Sequence, residues 1–158
     1  MDSNPETRLR ELGFELPDVP APAGSYVPAT RAGDLVFTAG QLPLEAGELH
    51  LTGKVGDAVS VDEASEAARL CALNALAAAA AETGGLGGIS RIVKVTGFVA
   101  SAPGFNGQPQ VLNGASEFLG EVFGDAGLHA RSAVGVAELP MDAPVELELV
   151  VLSEQTVS

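Results

Sequence analysis

Three charged residues stand on stretches otherwise built for burial. Residues 130–149 read ARSAVGVAELPMDAPVELEL, two alternating apolar runs separated by Leu139-Pro140. Alternation assigns every side chain to a face. Arg131, Ala133 and Gly135 point one way, and Ser132, Val134 and Val136 the other. In the second run Val145, Leu147 and Leu149 form the apolar face, and Glu146 and Glu148 the polar one. A guanidinium or carboxylate on such strands needs a partner, a ligand or a subunit boundary. Arg131 is a fixed cation with a planar donor fork, suited to a substrate carboxylate; the competing reading is an ion pair with Glu146 or Glu148. Glu146 suits a general base or a water holder, and equally an interface ion-pair partner. Tyr26, the single tyrosine, either closes a pocket or packs. Asn113 either stays on a polar helix face or reaches the sheet edge. His129 either caps and packs beside Arg131 or adds a titratable group there. Thr38 and the Gly40-Gln41 turn complete the set.

The two runs read as a hairpin turning near Pro140-Met141. In that hairpin Arg131 lies opposite about residue 150, and Glu146 is offset by about 13 Å at strand rise. The two side chains then flank a small bound molecule, unless a neighbouring subunit supplies the contact.

Other chemistries lack their signatures. There is no Gly-rich phosphate loop, no G-x-S-x-G elbow and no His/Cys group at metal spacing, so neither a metal nor an organic cofactor is expected. The chain has 8 basic and 21 acidic residues, a net charge of −13. That field repels nucleic-acid phosphates and anionic membranes. No apolar run approaches the about 18 residues of a membrane span, and MDSNPETRLREL lacks the apolar region of a secretory signal. The one cysteine, Cys71, sits at an apolar helical spacing, which predicts a buried thiol in a reducing, cytoplasmic setting.

The positioning elements follow from local patterns. Residues 6–13 predict a short helix ended by Gly13, followed by a Pro-rich arm over the body. A first strand begins at Tyr26, a second covers 35–39, and a short hairpin turns at Ala46-Gly47. Ser60 and Glu63 form a capping box that opens a helix closed at Gly84-Gly85. A Val/Ile-rich strand covers 89–100. Pro109 opens a second long helix, with an apolar stripe from Val111 to Phe123. The boundaries expected are an arm over 1–22, one domain over 23–153 and a tail over 154–158. The order predicts an α+β layer fold, a mixed sheet with two helices on one face. The other face, expected to carry Ala133, Gly135 and other small residues, has no helix left to cover it, which predicts an oligomer.

The pattern Gly24-x-Tyr26-Val27, Phe37-Thr38-Ala39-Gly40-Gln41-Leu42-Pro43, Asn113, Ala130-Arg131-Ser132-Ala133-Val134, Val136-Ala137-x-Leu139-Pro140 and Val145-Glu146-Leu147-Glu148 resembles the RidA/YjgF reactive-intermediate deaminase family over about residues 22–152. The resemblance implies a chorismate-mutase-like fold and a homotrimer with three clefts between subunits. It implies hydrolysis of 2-enamine or 2-imine acids to 2-keto acids and ammonia. Arg131 matches the carboxylate-binding arginine, Glu146 the water-handling glutamate, and Tyr26, Gly40 and Asn113 cleft-lining positions. Ala133 and Ala39 replace the family's usual cysteine and serine, altering the cleft walls, and His129 stands where proline is common. A non-catalytic, carboxylate-binding trimer is the alternative. RNA hydrolysis, also suggested for the family, is disfavoured by the acidic charge.

Overall fold

The computed structural model describes residues 4–154. Three helices, α1 (Pro5–Glu11), α2 (Val61–Thr83) and α3 (Gln108–Phe123), accompany seven strands: β1 (Ala29–Ala32), β2 (Leu35–Thr38), β3 (Leu44–Glu45), β4 (Glu48–Leu49), β5 (Arg91–Ala100), β6 (Ala130–Val136) and β7 (Val145–Leu152). Five strands form one sheet in the order β1-β2-β7-β5-β6, and β3 and β4 form a separate hairpin. The first strand therefore begins at Ala29, not Tyr26.

α2 starts where its capping box demands. The Ser60 hydroxyl accepts from Glu63 N, and the Glu63 carboxylate accepts from Ser60 N. It stops at Gly84, whose left-handed φ of 75° costs an L side chain more than glycine. The predicted alanine face is buried against the sheet, and burial extends almost round the helix, taking in Leu73, Asn74, Ala77 and Ala80. The second side is closed by α3. At their crossing, a methyl on Gly114 would come within 2.1 Å of the Ser65 carbonyl oxygen. Leu76, Leu112, Leu119, Leu147 and Leu149 fill the space between helices and sheet, each at most 1% exposed. Truncating one of them to alanine costs about 2–5 kcal/mol. Cys71 is buried there as expected, and its thiol donates to the Val145 carbonyl at 3.6 Å. Burial, and secondarily the Glu146 charge, pushes that thiol well above its ordinary range.

The N-terminal arm is part of this packing. Leu9 joins the core, with Leu12, Phe14 and Leu16 against it. The Phe14 ring meets Phe118 edge-on at 5.4 Å, and the Arg69 guanidinium lies 4.9 Å over its face. Of the expected tail, residues 155–158 lie outside the described residues.

The expected β6–β7 hairpin does not form. β6 pairs in parallel with β5, Arg131 opposite Val95, and is the sheet edge. β7 lies between β2 and β5, antiparallel to both. Residues 137–144 cross the end of β5 instead of turning tightly; a span of two strand spacings, about 10 Å, is within their reach.

The composition of the uncovered face is also corrected. Through the shared register, Arg131 and Ala133 align with the buried Val95 and Gly97, on the side of the helices. The face that no helix covers carries Phe37, Phe98, Val134, Glu146 and Glu148, with Phe37 and Val134 exposed. None of the described helices is long and apolar enough to cross a membrane.

Candidate functional site

Arg131 projects from the edge strand onto α3. Its Nη1 donates to Asn113 Oδ1 at 2.9 Å and to Ser116 Oγ at 3.1 Å, and Nη2 donates to the Pro109 carbonyl at 3.3 Å. Asn113 and Ser116 are three residues apart and so share one helix face. His129, two residues before the arginine, points back to the same helix: Nε2 lies 2.9 Å from Ser116 Oγ, and Nδ1 lies 2.6 Å from the Gly127 carbonyl. These side chains, with Leu128 and Gly120, line an open cleft of about 370 Å³. Three of the five guanidinium donors are committed to uncharged acceptors. Among the described residues no carboxylate pairs with Arg131.

Glu146 belongs to a second cluster. After Phe37 the β2 backbone parts from β7 while Thr38 stays paired with Ala29 of β1, and the Thr38 hydroxyl takes over as acceptor for Leu149 N at 2.9 Å. Pairing resumes at Gln41, which exchanges both backbone bonds with Leu147. Ala39 and Gly40 lie between these anchors, and Ala39 N donates to the Pro28 carbonyl on the β1 side at 2.8 Å. A methyl on Gly40 would sit 2.8 Å from the Glu146 carboxyl carbon, so the glycine is what admits that side chain. Phe98 is the cross-strand neighbour of Glu146. Burial, then repulsion from Glu148, holds the Glu146 carboxyl above the usual carboxylate range.

The expected residues therefore separate into two groups. Arg131, Asn113 and His129 come together, joined by Ser116, which the sequence reading missed. Two polar residues three apart on one helix face, beside the apolar stripe of α3, are the signal that would have found it. Gly40, Ala39 and Glu146 form the other group. Ala133 lies on the face of Arg131, two residues along the strand. Tyr26 joins neither: its ring lies against Gly24, and its hydroxyl accepts from Ala23 N at 3.2 Å. Within one chain Arg131 and Glu146 are two strands and three residues apart, about 14 Å at sheet spacings, and on opposite faces. The expected pair of walls flanking one molecule is not formed by a single chain, because the strands are not hairpin partners. A larger cleft of about 520 Å³ lies between residues 17–21, the β3–β4 turn and Asn74, and contains none of the candidate residues.

This arrangement has known relatives. The family model described as "YjgF/chorismate_mutase-like, putative endoribonuclease" matches residues 6–153. "Protein TCP17" of Trypanosoma cruzi is 42% identical over 144 residues, covering 90% of each chain. A 2-iminobutanoate/2-iminopropanoate deaminase of Dermatophagoides farinae is 32% identical over 139 residues, 87% of this chain and 93% of its own. A crystal structure of a protein of unknown function from Agrobacterium tumefaciens superposes with a TM-score of 0.88 at 47% identity, covering 95% of this chain and 93% of that one. The α+β architecture, the mixed sheet and the match along nearly the whole chain agree: the chain belongs to the YjgF/chorismate-mutase-like family.

Proposed function

We propose that this protein hydrolyses small 2-imino or 2-enamino carboxylic acids to 2-keto acids and ammonia, in clefts between the subunits of a homotrimer. The observation that carries the reading is Arg131: a half-buried guanidinium, held on α3, with two donors left over and no carboxylate paired with it among the described residues. Two parallel donors match one carboxylate. The deaminase relative from Dermatophagoides farinae supports the substrate class.

Glu146 supplies the other half. Water adds to the imine carbon while Glu146 takes its proton and passes it to the imine nitrogen, giving a carbinolamine. Glu146 then carries the carbinolamine hydroxyl proton to the same nitrogen as the C–N bond breaks, so that ammonia leaves and a C=O bond remains. A carboxylate whose hold on a proton is raised by burial is the stronger base for this transfer. Because Arg131 and Glu146 lie on opposite faces of one sheet, a second copy has to bring its Glu146 to the first copy's Arg131. The uncovered face with Phe37 and Val134 gives that copy an apolar surface to bury.

The test couples the protein to a pyridoxal-dependent serine or threonine dehydratase with semicarbazide trapping the free imine. The wild-type protein lowers the trapped fraction and Arg131→Ala does not; an unchanged fraction with wild-type protein overturns the reading for these substrates. A second reading, carboxylate binding without turnover, is favoured by the contrast between a hydrogen-bonded Arg131 and a Glu146 for which no hydrogen bond is seen among the described residues. It predicts that keto acids raise Tm by mass action while no imine is consumed.

A further inference from the structure

The Arg131 cluster contains a directional chain of hydrogen bonds. The Gly127 carbonyl can only accept, so the His129 Nδ1 that lies 2.6 Å from it carries the hydrogen. Arg131 Nη1 can only donate, so Ser116 Oγ accepts from it at 3.1 Å. The serine proton is then free to point at His129 Nε2, 2.9 Å away. With the Nδ1–H tautomer every donor in the row meets an acceptor: Arg131 to Ser116, Ser116 to His129, His129 to the Gly127 backbone. Ser116 lies inside a helix, where a serine commonly bonds back to its own preceding turn. Here its partners come from β6 and the segment before it.

We propose that Ser116 and His129 are positioning residues for the guanidinium of Arg131. They tie it to the backbone of Gly127, so that its two uncommitted donors present one fixed edge to a substrate carboxylate. Asn113, Pro109 and Ser116 all hold the guanidinium from α3; His129, from the segment before β6, fixes the Ser116 hydroxyl. An arginine side chain has many rotamers to lose on binding, and a side chain fixed beforehand does not lose that freedom when the ligand arrives. The role concerns binding more than the chemical step, since neither residue is aimed at Glu146. This rests on the reading of Arg131 as the carboxylate anchor.

Two measurements on the full chain test it. Nitrogen NMR of the imidazoles comes first: the chain has two histidines, and His129→Gln identifies the signals of His129 by their loss. The Nδ1–H tautomer is expected; an Nε2–H tautomer overturns the proposal whatever the variants do. Calorimetry with 2-oxobutanoate comes second. Ser116→Ala and His129→Leu are expected to weaken binding about tenfold, the scale of one charge-assisted hydrogen bond, and to raise KM for the imine with kcat within about twofold. His129→Gln keeps an acceptor at the reach of Nε2 and should stay within about threefold of wild type. Wild-type affinity in Ser116→Ala and His129→Leu, with affinity lost in Arg131→Ala, overturns the positioning role and leaves the anchor standing. Wild-type affinity in Arg131→Ala overturns the anchor itself.

Discussion

The two charged clusters are built differently. Arg131 is fixed by three hydrogen bonds to α3, and its neighbours are fixed in turn by His129 and the Gly127 backbone. Glu146 is placed by exclusion: a glycine that leaves room, an aromatic neighbour and a second carboxylate two residues away. One half is set to hold a ligand in a defined orientation. The other keeps a carboxyl in an environment that disfavours its charge. Under the proposed function, binding and proton transfer fall on opposite faces of the sheet, each able to change without repacking the other.

Substitutions that separate the two roles sharpen this comparison. The largest effect is expected from Glu146→Gln, which should lower kcat about 100-fold or more, the scale of a lost general base, while calorimetry shows 2-oxobutanoate affinity within about threefold of wild type. Arg131→Ala should do the reverse, weakening that affinity about 30-fold or more, as expected for losing a bidentate charge-assisted contact. Equal effects of both variants on binding and on kcat would break the comparison. Gly40→Ala comes next: the added methyl displaces the mobile end of Glu146, so kcat should fall about tenfold while stability changes by less than about 1 kcal/mol. Gly114→Ala is its counterpart, because there the methyl meets backbone and the cost falls on folding.

The smallest effect is on stability against pH. The folded-state pKa of Glu146 is raised above its ordinary value of 4.5. The folded protein therefore holds that proton more tightly, and stability is full below 4.5 and lost as pH rises toward the raised value. Glu146→Gln should raise Tm by roughly 1–3 °C at pH 7 and leave it unchanged at pH 4, as read by calorimetric scans.

Much of this was legible in the chain because it is local. Ser60, Glu63 and Gly84 bound α2, Pro109 sits in the first turn of α3, and alternation assigned Arg131 and Glu146 to the faces of their own strands correctly. Strand partnership was not legible. Two apolar runs on either side of Leu139-Pro140 read as a hairpin, yet nothing in their alternation records that β5, thirty residues earlier, lies between them. The same gap misassigned the uncovered face, since alternation says that Ala133 and Val134 point apart but not which of them meets the helices. Ser116 escaped notice because its partner Arg131 is distant in sequence.

The strand order has a consequence for synthesis. β7 is the last strand of the sheet to leave the ribosome, and it occupies the centre, between β2 and β5. Until it emerges, β1 and β2 are joined to the β5–β6 pair by no strand, and the apolar faces of α2 and α3 have no finished sheet to cover. A nascent or truncated chain ending before Val145 thus exposes two unpaired strand edges at once. Stop codons or pauses in that stretch should direct the product to chaperones or proteases, and the chain becomes competent to assemble only when residues 145–152 are available.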